Sequence, residues 1–488
     1  MKISTIPALL LAHVALASPL AVVKRVGDDG AITTTTTTEH VHHTTTVTTF
    51  VPDSQTPDIQ DSTTVAIEGT PQPVTTLSTK TVSHSSDAVE RSVPSGSPGA
   101  GGRKNIVYVT NWGIYNKVFK VADIPADSIT HAMYAFANVN PDGSLFATDE
   151  WSDISIKFPG DEQIPAGNNA FGCVNQLYQL KKKNRHFKTL LSIGGWTYSI
   201  QKRFSGWSAT DAGRKLFASS AVDMIANWGM DGVDIDWEYP STPEEGRDFT
   251  LLLKEVRQAL DNYAATNGQN YHYLLTVASP ADPAKIANLD VAGMDQYLDS
   301  WNVMAYDYAG AWDSTTGHLA NLYMDKANPT ATKFNTQGAL DAHIKGGVSP
   351  NKLILGLPLY GRSYASTSGI GQSYQGTARG TTEHGIYRYN DLPLPGATIT
   401  EDLSLGASYS YDPAAKMLIS YDTPNVVRSK GEYIHANNLG GAMFWEAAGD
   451  KTGEESLVRA MANTLGGLDT TPNMLSYPKS SFDNIRGQ

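Results

Sequence analysis

Between residues 232 and 238 apolar and acidic positions alternate strictly: Val233, Ile235 and Trp237 interleave with Asp234, Asp236 and Glu238. A period of two built on β-branched and aromatic residues predicts a strand rather than a helix. One face of that strand is apolar. The other carries three acids in a file, next-but-one residues lying roughly 6.6 Å apart, with Asp234 deepest and Glu238 outermost. Pro240 cannot donate to a ladder, so the strand stops there.

Similar short apolar runs recur along the chain: 105–110, 131–138, 188–194, 232–237, 273–278, 301–306, 353–357 and 441–445. Between them lie helical patterns at 174–183, 209–227, 243–264, 283–297, 336–345 and 454–463. Strands alternating with helices predict βα units and a parallel sheet, and eight strands suit an α/β fold of the (β/α)8 TIM-barrel type. The span from Asn105 to Leu465 exceeds the roughly 250 residues of a minimal barrel, so its loops are enlarged. The largest gap falls between the seventh and eighth strands. From Ser363 to about Met417 the sequence is rich in Gly, Ser, Thr and Tyr with little helical period, which predicts a small inserted β-rich domain at about 363–435.

The first hundred residues read differently. Met1–Ala17 has the basic start, short apolar core and Ala15-Leu16-Ala17 cleavage pattern of a secretory signal. Lys24-Arg25 resembles a dibasic processing site. From 18 to 102 the chain is Thr- and Ser-rich with scattered prolines, too poor in apolar area to offset the entropy of ordering, and predicts an unpacked, O-glycosylated stalk. The barrel occupies 103–465 and a tail 466–488.

Composition narrows the partners. Of 488 residues 37 are basic and 49 acidic, a net charge of −12, and no basic tract extends beyond Lys181-Lys182-Lys183, which argues against nucleic acid. No segment predicts a membrane span, and the C-terminus carries no apolar anchor signal, so a secreted, extracellular monomer is expected. The single cysteine, Cys173, lies at a helix start and reads as a small core residue. No metal and no cofactor are expected: a calcium loop needs polar residues between its acids and a glycine at its sixth position, and here the intervening residues are apolar.

Asp-x-x-Asp-x-Asp-x-Glu, filled by Asp231, Asp234, Asp236 and Glu238, resembles the signature of the family 18 glycoside hydrolases, the chitinases. Further resemblances fall at predicted strand ends: Ser192-Ile193-Gly194-Gly195-Trp196, Met304-Ala305-Tyr306-Asp307, Tyr360-Gly361-Arg362, and Met443-Phe444-Trp445. The resemblance implies hydrolysis of chitin and chitooligosaccharides. It makes Glu238 the proton donor, Asp236 the residue that holds the acetamido N–H, Asp234 its proton-sharing neighbour, and Tyr306 the group that fixes the acetamido oxygen. It places a sugar on Tyr108, Trp112, Phe136, Trp196, Tyr239, Met304, Asp307, Tyr360, Arg362, Met443 and Trp445, with Trp445 as the floor and Trp151 and Trp312 at the rim. It also implies cis peptides at Ala135-Phe136, Glu238-Tyr239 and Trp445-Glu446, and an α+β insertion forming one cleft wall. Asp231 is expected to brace the strand. Two other readings share this barrel: a chitin-binding lectin, which would lack the acid, and an endo-β-N-acetylglucosaminidase acting on glycoprotein glycans.

Overall fold

The computed structural model describes residues 102–117 and 119–487, together with three strands nearer the N-terminus. Those three, Val22–Arg25, Ile32–His40 and His43–Thr49, pair antiparallel in that order. Several of the threonines assigned above to an unpacked stalk are therefore paired here, as β-branched side chains favour. The remainder of 1–101, including the signal segment, lies outside the described residues.

Eight parallel strands close on themselves: β1 Lys104–Thr110, β2 His131–Val139, β3 Lys188–Gly194, β4 Gly232–Asp236, β5 Leu274–Ser279, β6 Ser300–Val303, β7 Leu353–Pro358 and β8 Gly441–Trp445. Each pairs with its sequence neighbour and β8 returns to β1, the closed order of a (β/α)8 barrel. A short strand, Leu145–Ala147, adds antiparallel to the end of β2.

The helices start where local chemistry supplies an acceptor for free backbone N–H groups. Asp211–Trp228 is capped by the Thr210 side chain and ends on left-handed Gly229, while Pro243–Thr266 begins with Thr242 as cap and proline in its first turn. The helix expected at 283–297 is instead two pieces, Pro283–Ile286 and Val291–Asp295, because Asp282 and Asp290 each cap a new start. β6 is shorter than expected. The Met304 N–H still donates to the Ser279 carbonyl at 2.9 Å, but the Ala305 N–H turns back to the Val303 carbonyl, and the chain leaves the ladder there.

Between β7 and β8 a five-stranded antiparallel sheet is built from Tyr360–Tyr364, Ile386–Arg388, Thr398–Asp402, Ala407–Asp412 and Met417–Ser420. It ends before the expected boundary near 435. The helix Pro424–Ala436, capped by Thr423, packs on Leu457–Leu465 as an outer barrel helix. The tail past 465 closes the base of the barrel: Leu468 bridges Arg103, the Asn473 amide donates to the carbonyls of Lys181 and Phe187, and Tyr477 and Ile485 are fully buried. No described helix is long and apolar enough to cross a membrane.

Candidate active site

The alternation in β4 sorts its side chains as the pattern predicts. Val233, Ile235 and Trp237 join the core between barrel and helices, where the Trp237 ring stacks on Phe204 with centroids 5.1 Å apart and leans on Phe249. Asp234 and Asp236 therefore point into the barrel. The ladder ends at Asp236, so Glu238 stands on the segment beyond it, its backbone N–H donated to Ser199 Oγ at 2.9 Å. Glycine brings β3 close alongside. At Gly194, φ is +121° and a Cβ would lie 2.2 Å from the Asp236 carbonyl oxygen, while the Gly195 N–H donates to that same oxygen at 2.9 Å.

Asp234 is fully buried and accepts four hydrogen bonds. The Tyr108 hydroxyl and Ser192 Oγ each donate to Oδ2 at 2.8 Å; Thr276 Oγ1 and Asn302 Nδ2 donate to Oδ1 at 2.6 and 3.2 Å. Burial raises its pKa and these four bonds oppose the rise. Asp236 has no such support. Burial and the neighbouring charges of Glu238 and Asp234 push its pKa well up, and its Oδ1 is buried without a hydrogen-bond partner. The expected sharing of one proton between Asp234 and Asp236 is thus met by unequal surroundings: both Asp234 oxygens are occupied by donors, whereas Asp236 Oδ1 has none.

Glu238 still reaches solvent with part of its surface, yet protein rings it closely enough that burial is the largest cause lifting its pKa to about 7. A hydrogen bond with Tyr239 opposes the lift and the charge of Asp307 adds to it. Burial, with Asp236 and Glu238 alongside, keeps the Tyr306 hydroxyl protonated well beyond its ordinary range. Burial thus lifts the Glu238 pKa to about 7 and moves the Asp236 carboxyl and the Tyr306 hydroxyl in the same upward direction.

The walls are aromatic. Phe136 stacks on Trp445 at 5.8 Å between centroids and 24° between planes, and Trp112 follows Phe136 at 6.0 Å. Trp112, Trp196, Trp312 and Trp151 all expose much of their rings, from 42% for Trp196 and Trp312 to 58% for Trp151. Asp307, with φ at +60°, is gripped by Arg362 through two bonds of 2.7 and 2.6 Å and by the Tyr360 hydroxyl at 2.6 Å. The Arg362 guanidinium in turn lies 4.7 Å over the Trp312 ring. All three peptides expected to be cis are cis.

Two residues expected to meet a sugar do not face open space. Tyr108 is buried, with its hydroxyl committed to Asp234 and its ring 5.5 Å from Trp445, and Met443 is buried under Tyr306, whose hydroxyl approaches its sulfur at 3.9 Å. Inward alternation places both rightly, but they sit a layer too deep. Met304 is partly buried against the same cluster. Asp231 lies at the opposite end of β4, paired with buried Lys181 at 2.8 Å and accepting from the N–H groups of Thr189 and Met474 and the Tyr271 hydroxyl. Sequence reasoning did not find the donors Thr276 and Asn302. Their signal was present, since both stand on inward positions of their strands.

A closed barrel with a protonatable carboxyl just past its fourth strand, set among exposed indoles and with a second buried carboxyl behind it, has the features of a glycosidase. Residues 104–450 match the model of glycosyl hydrolases family 18, and the chain belongs to that family. It is 46% identical to Endochitinase 1 of Metarhizium robertsii over 80% of this chain and 91% of that protein, and 48% identical to Chitinase 1 of Aphanocladium album over 79% and 90%. Among solved structures, Chitinase ChiA74 from Bacillus thuringiensis superposes with a TM-score of 0.69 at 32% identity, covering 75% of this chain and 70% of the other. The chain is thus a glycoside hydrolase whose relatives are named chitinases.

Proposed function

We propose that the protein hydrolyses β-1,4-linked chains of N-acetylglucosamine with retention of configuration, using the substrate's own 2-acetamido oxygen as nucleophile and Glu238 as general acid and then base. The observation that carries this is the commitment of the other acids. Asp234 is engaged by four donors, Asp307 by Arg362 and Tyr360, and burial beside its acidic neighbours pushes the Asp236 pKa well up, toward its neutral form. Among the described residues, each of the acids named beside Glu238 is thus tied up by donors or pushed toward its neutral form, which favours the substrate-assisted route found among the exceptional glycosidases.

Glu238 gives its proton to the glycosidic oxygen, the C1–O bond breaks, and the acetamido oxygen closes on C1 to form an oxazolinium ion. The orphaned Asp236 Oδ1 takes the acetamido N–H, and the Tyr306 hydroxyl donates to the acetamido oxygen. Glu238, now a carboxylate, removes a proton from a water that attacks C1 and reopens the ring. Trp445 supports the sugar being cut, with Phe136 and Trp112 continuing the stacking surface. The relatives' printed names agree with this substrate, and the signal pattern of Met1–Ala17 supports action outside the cell.

Glu238→Gln keeps the shape and removes the titrating proton. Turnover of chitooligosaccharides should fall by ~10²–10⁴-fold or more while binding persists. Unchanged turnover would refute the acid assignment. Proton NMR of fresh product should show the β anomer, and brisk cleavage of fully deacetylated polymer would exclude the acetamido route.

A further inference from the structure

Behind the outer wall of the cleft lies a buried carboxyl that the chemistry above does not use. Asp153 sits in the turn Trp151–Ser155 and is 1% exposed. Its Oδ1 accepts from the Tyr134 hydroxyl at 2.5 Å and from Asn111 Nδ2 at 3.2 Å. Asn111 Nδ2 also donates to Thr148 Oγ1 at 2.8 Å, and Thr148 Oγ1 donates to the Phe136 carbonyl at 2.5 Å. Ser152 Oγ closes the loop by donating to the Asn111 carbonyl.

Apart from the Tyr134 branch, this knot ends on the backbone of a cleft aromatic or beside one. Asn111 precedes Trp112, Ser152 follows Trp151, and the Phe136 carbonyl is itself an acceptor. Tyr134, on the outer face of β2, anchors the knot in the core by resting edge-on against Trp228. Asp153 thereby ties the turn after β1 directly to the outer face of β2, and Asn111 passes the tie on through Thr148 to the Phe136 carbonyl. Trp112 and Trp151 stay 48% and 58% exposed at their tips although their backbones are locked. Exposed indoles on a rigid frame gain ligand affinity because little rotamer and loop entropy is left to lose on binding.

We propose that Asp153 is a positioning residue for long substrates: it fixes Trp112, Phe136 and Trp151 in the register that extends the stacking surface outward from Trp445. This rests on the cleavage reading given above. Its signature is a dependence on chain length, because a two-sugar substrate is too short to span both Trp445 and the rim.

The test compares the wild type with Asp153→Ala and Asp153→Asn on chitohexaose and on a chromogenic chitobioside. Asp153→Ala should raise KM for the hexasaccharide about fivefold with kcat within about twofold, and leave the chitobioside unchanged. Asp153→Asn should restore wild-type KM, since its amide oxygen accepts the same two bonds. Equal loss on both substrates, an unchanged hexasaccharide KM, or no rescue by asparagine overturns the proposal. If the alanine variant does not fold, Asn111→Ala severs the knot on the wild-type acid and is read the same way. A wild type that cleaves neither substrate sinks the chitin reading itself, whereas a wild type active on both, with no length-dependent loss in the variants, sinks only this one.

Discussion

Glu238 should make the folded protein less stable as pH rises, and Glu238→Gln should remove that penalty. Its pKa is lifted from 4.5 in the free side chain to about 7 in the fold, chiefly by burial. Below about 4.5 the carboxyl is protonated in both folded and unfolded chains and contributes nothing to the difference. Between 4.5 and about 7 the unfolded chain releases the proton while the folded one keeps it, so the folded state binds more protons and stability declines with rising pH. Above about 7 both are ionised and the loss is complete. At about 1.4 kcal/mol per pKa unit, the full loss is on the order of 3 kcal/mol. Glutamine is close in shape to the protonated acid and carries no charge to bury. Urea unfolding from pH 4 to pH 8 should therefore show the two proteins equal at the acid end and the variant ahead by on the order of 3 kcal/mol at the alkaline end, with Asp236, whose pKa the Glu238 charge helps to raise, shifting the difference in the same direction. A difference that stays flat across this range would mean that the burial of Glu238 does not lift its pKa, and the argument for a neutral-pH acid would go with it.

The same proton should set the rate: kcat/KM should fall about tenfold per pH unit above about 7, and Asp307→Asn, by removing a charge that holds Glu238 protonated, should move that limb to lower pH. A limb unmoved in the pH–rate profile would remove Asp307 from the account. Asp231→Ala leaves Lys181 buried without its anion and should cost about 3–5 kcal/mol in urea unfolding, while kcat per folded molecule stays at the wild-type value. A specific loss of kcat would place Asp231 in the chemistry instead. Trp445→Ala should lower kcat/KM on chitooligosaccharides about tenfold, read from steady-state kinetics, and an unchanged value would show that the sugar does not rest on this ring.

What could be read from the chain was what is encoded locally. A period of two announces a strand and which of its side chains share a face, and a threonine followed by proline announces a helix start at 242–243; the same pair at 423–424 starts the helix that was absorbed into the insertion. Depth was not readable. Tyr108 and Met443 alternate inward as predicted, but whether an inward side chain lines the mouth or plugs the layer beneath depends on the stagger between strands, which no single strand carries. The four donors to Asp234 come from β1, β3, β5 and β6, and the Asp307–Arg362 pair joins residues 55 apart. Such contacts exist only once the barrel has closed.

Closure also explains how a file of like charges on one strand performs three different tasks. Spaced by the pleat, the acids meet graded surroundings from the packed interior to the open mouth. The deepest, Asp234, faces polar donors on the neighbouring and opposite strands and is held by all of them. The next, Asp236, is buried too but lies above that ring of donors, and burial together with its acidic neighbours pushes its pKa well up. The last stands past the ladder, where partial solvent access remains and burial, with the Asp307 charge adding and the Tyr239 hydrogen bond opposing, lifts it to about 7. Shifting the strand by one residue would send all three outward under the helices, and shifting it by two would put the donors around Asp236 and leave Asp234 unsupported. Register, more than the identity of any single acid, therefore sets the proton arrangement on which the cleavage depends.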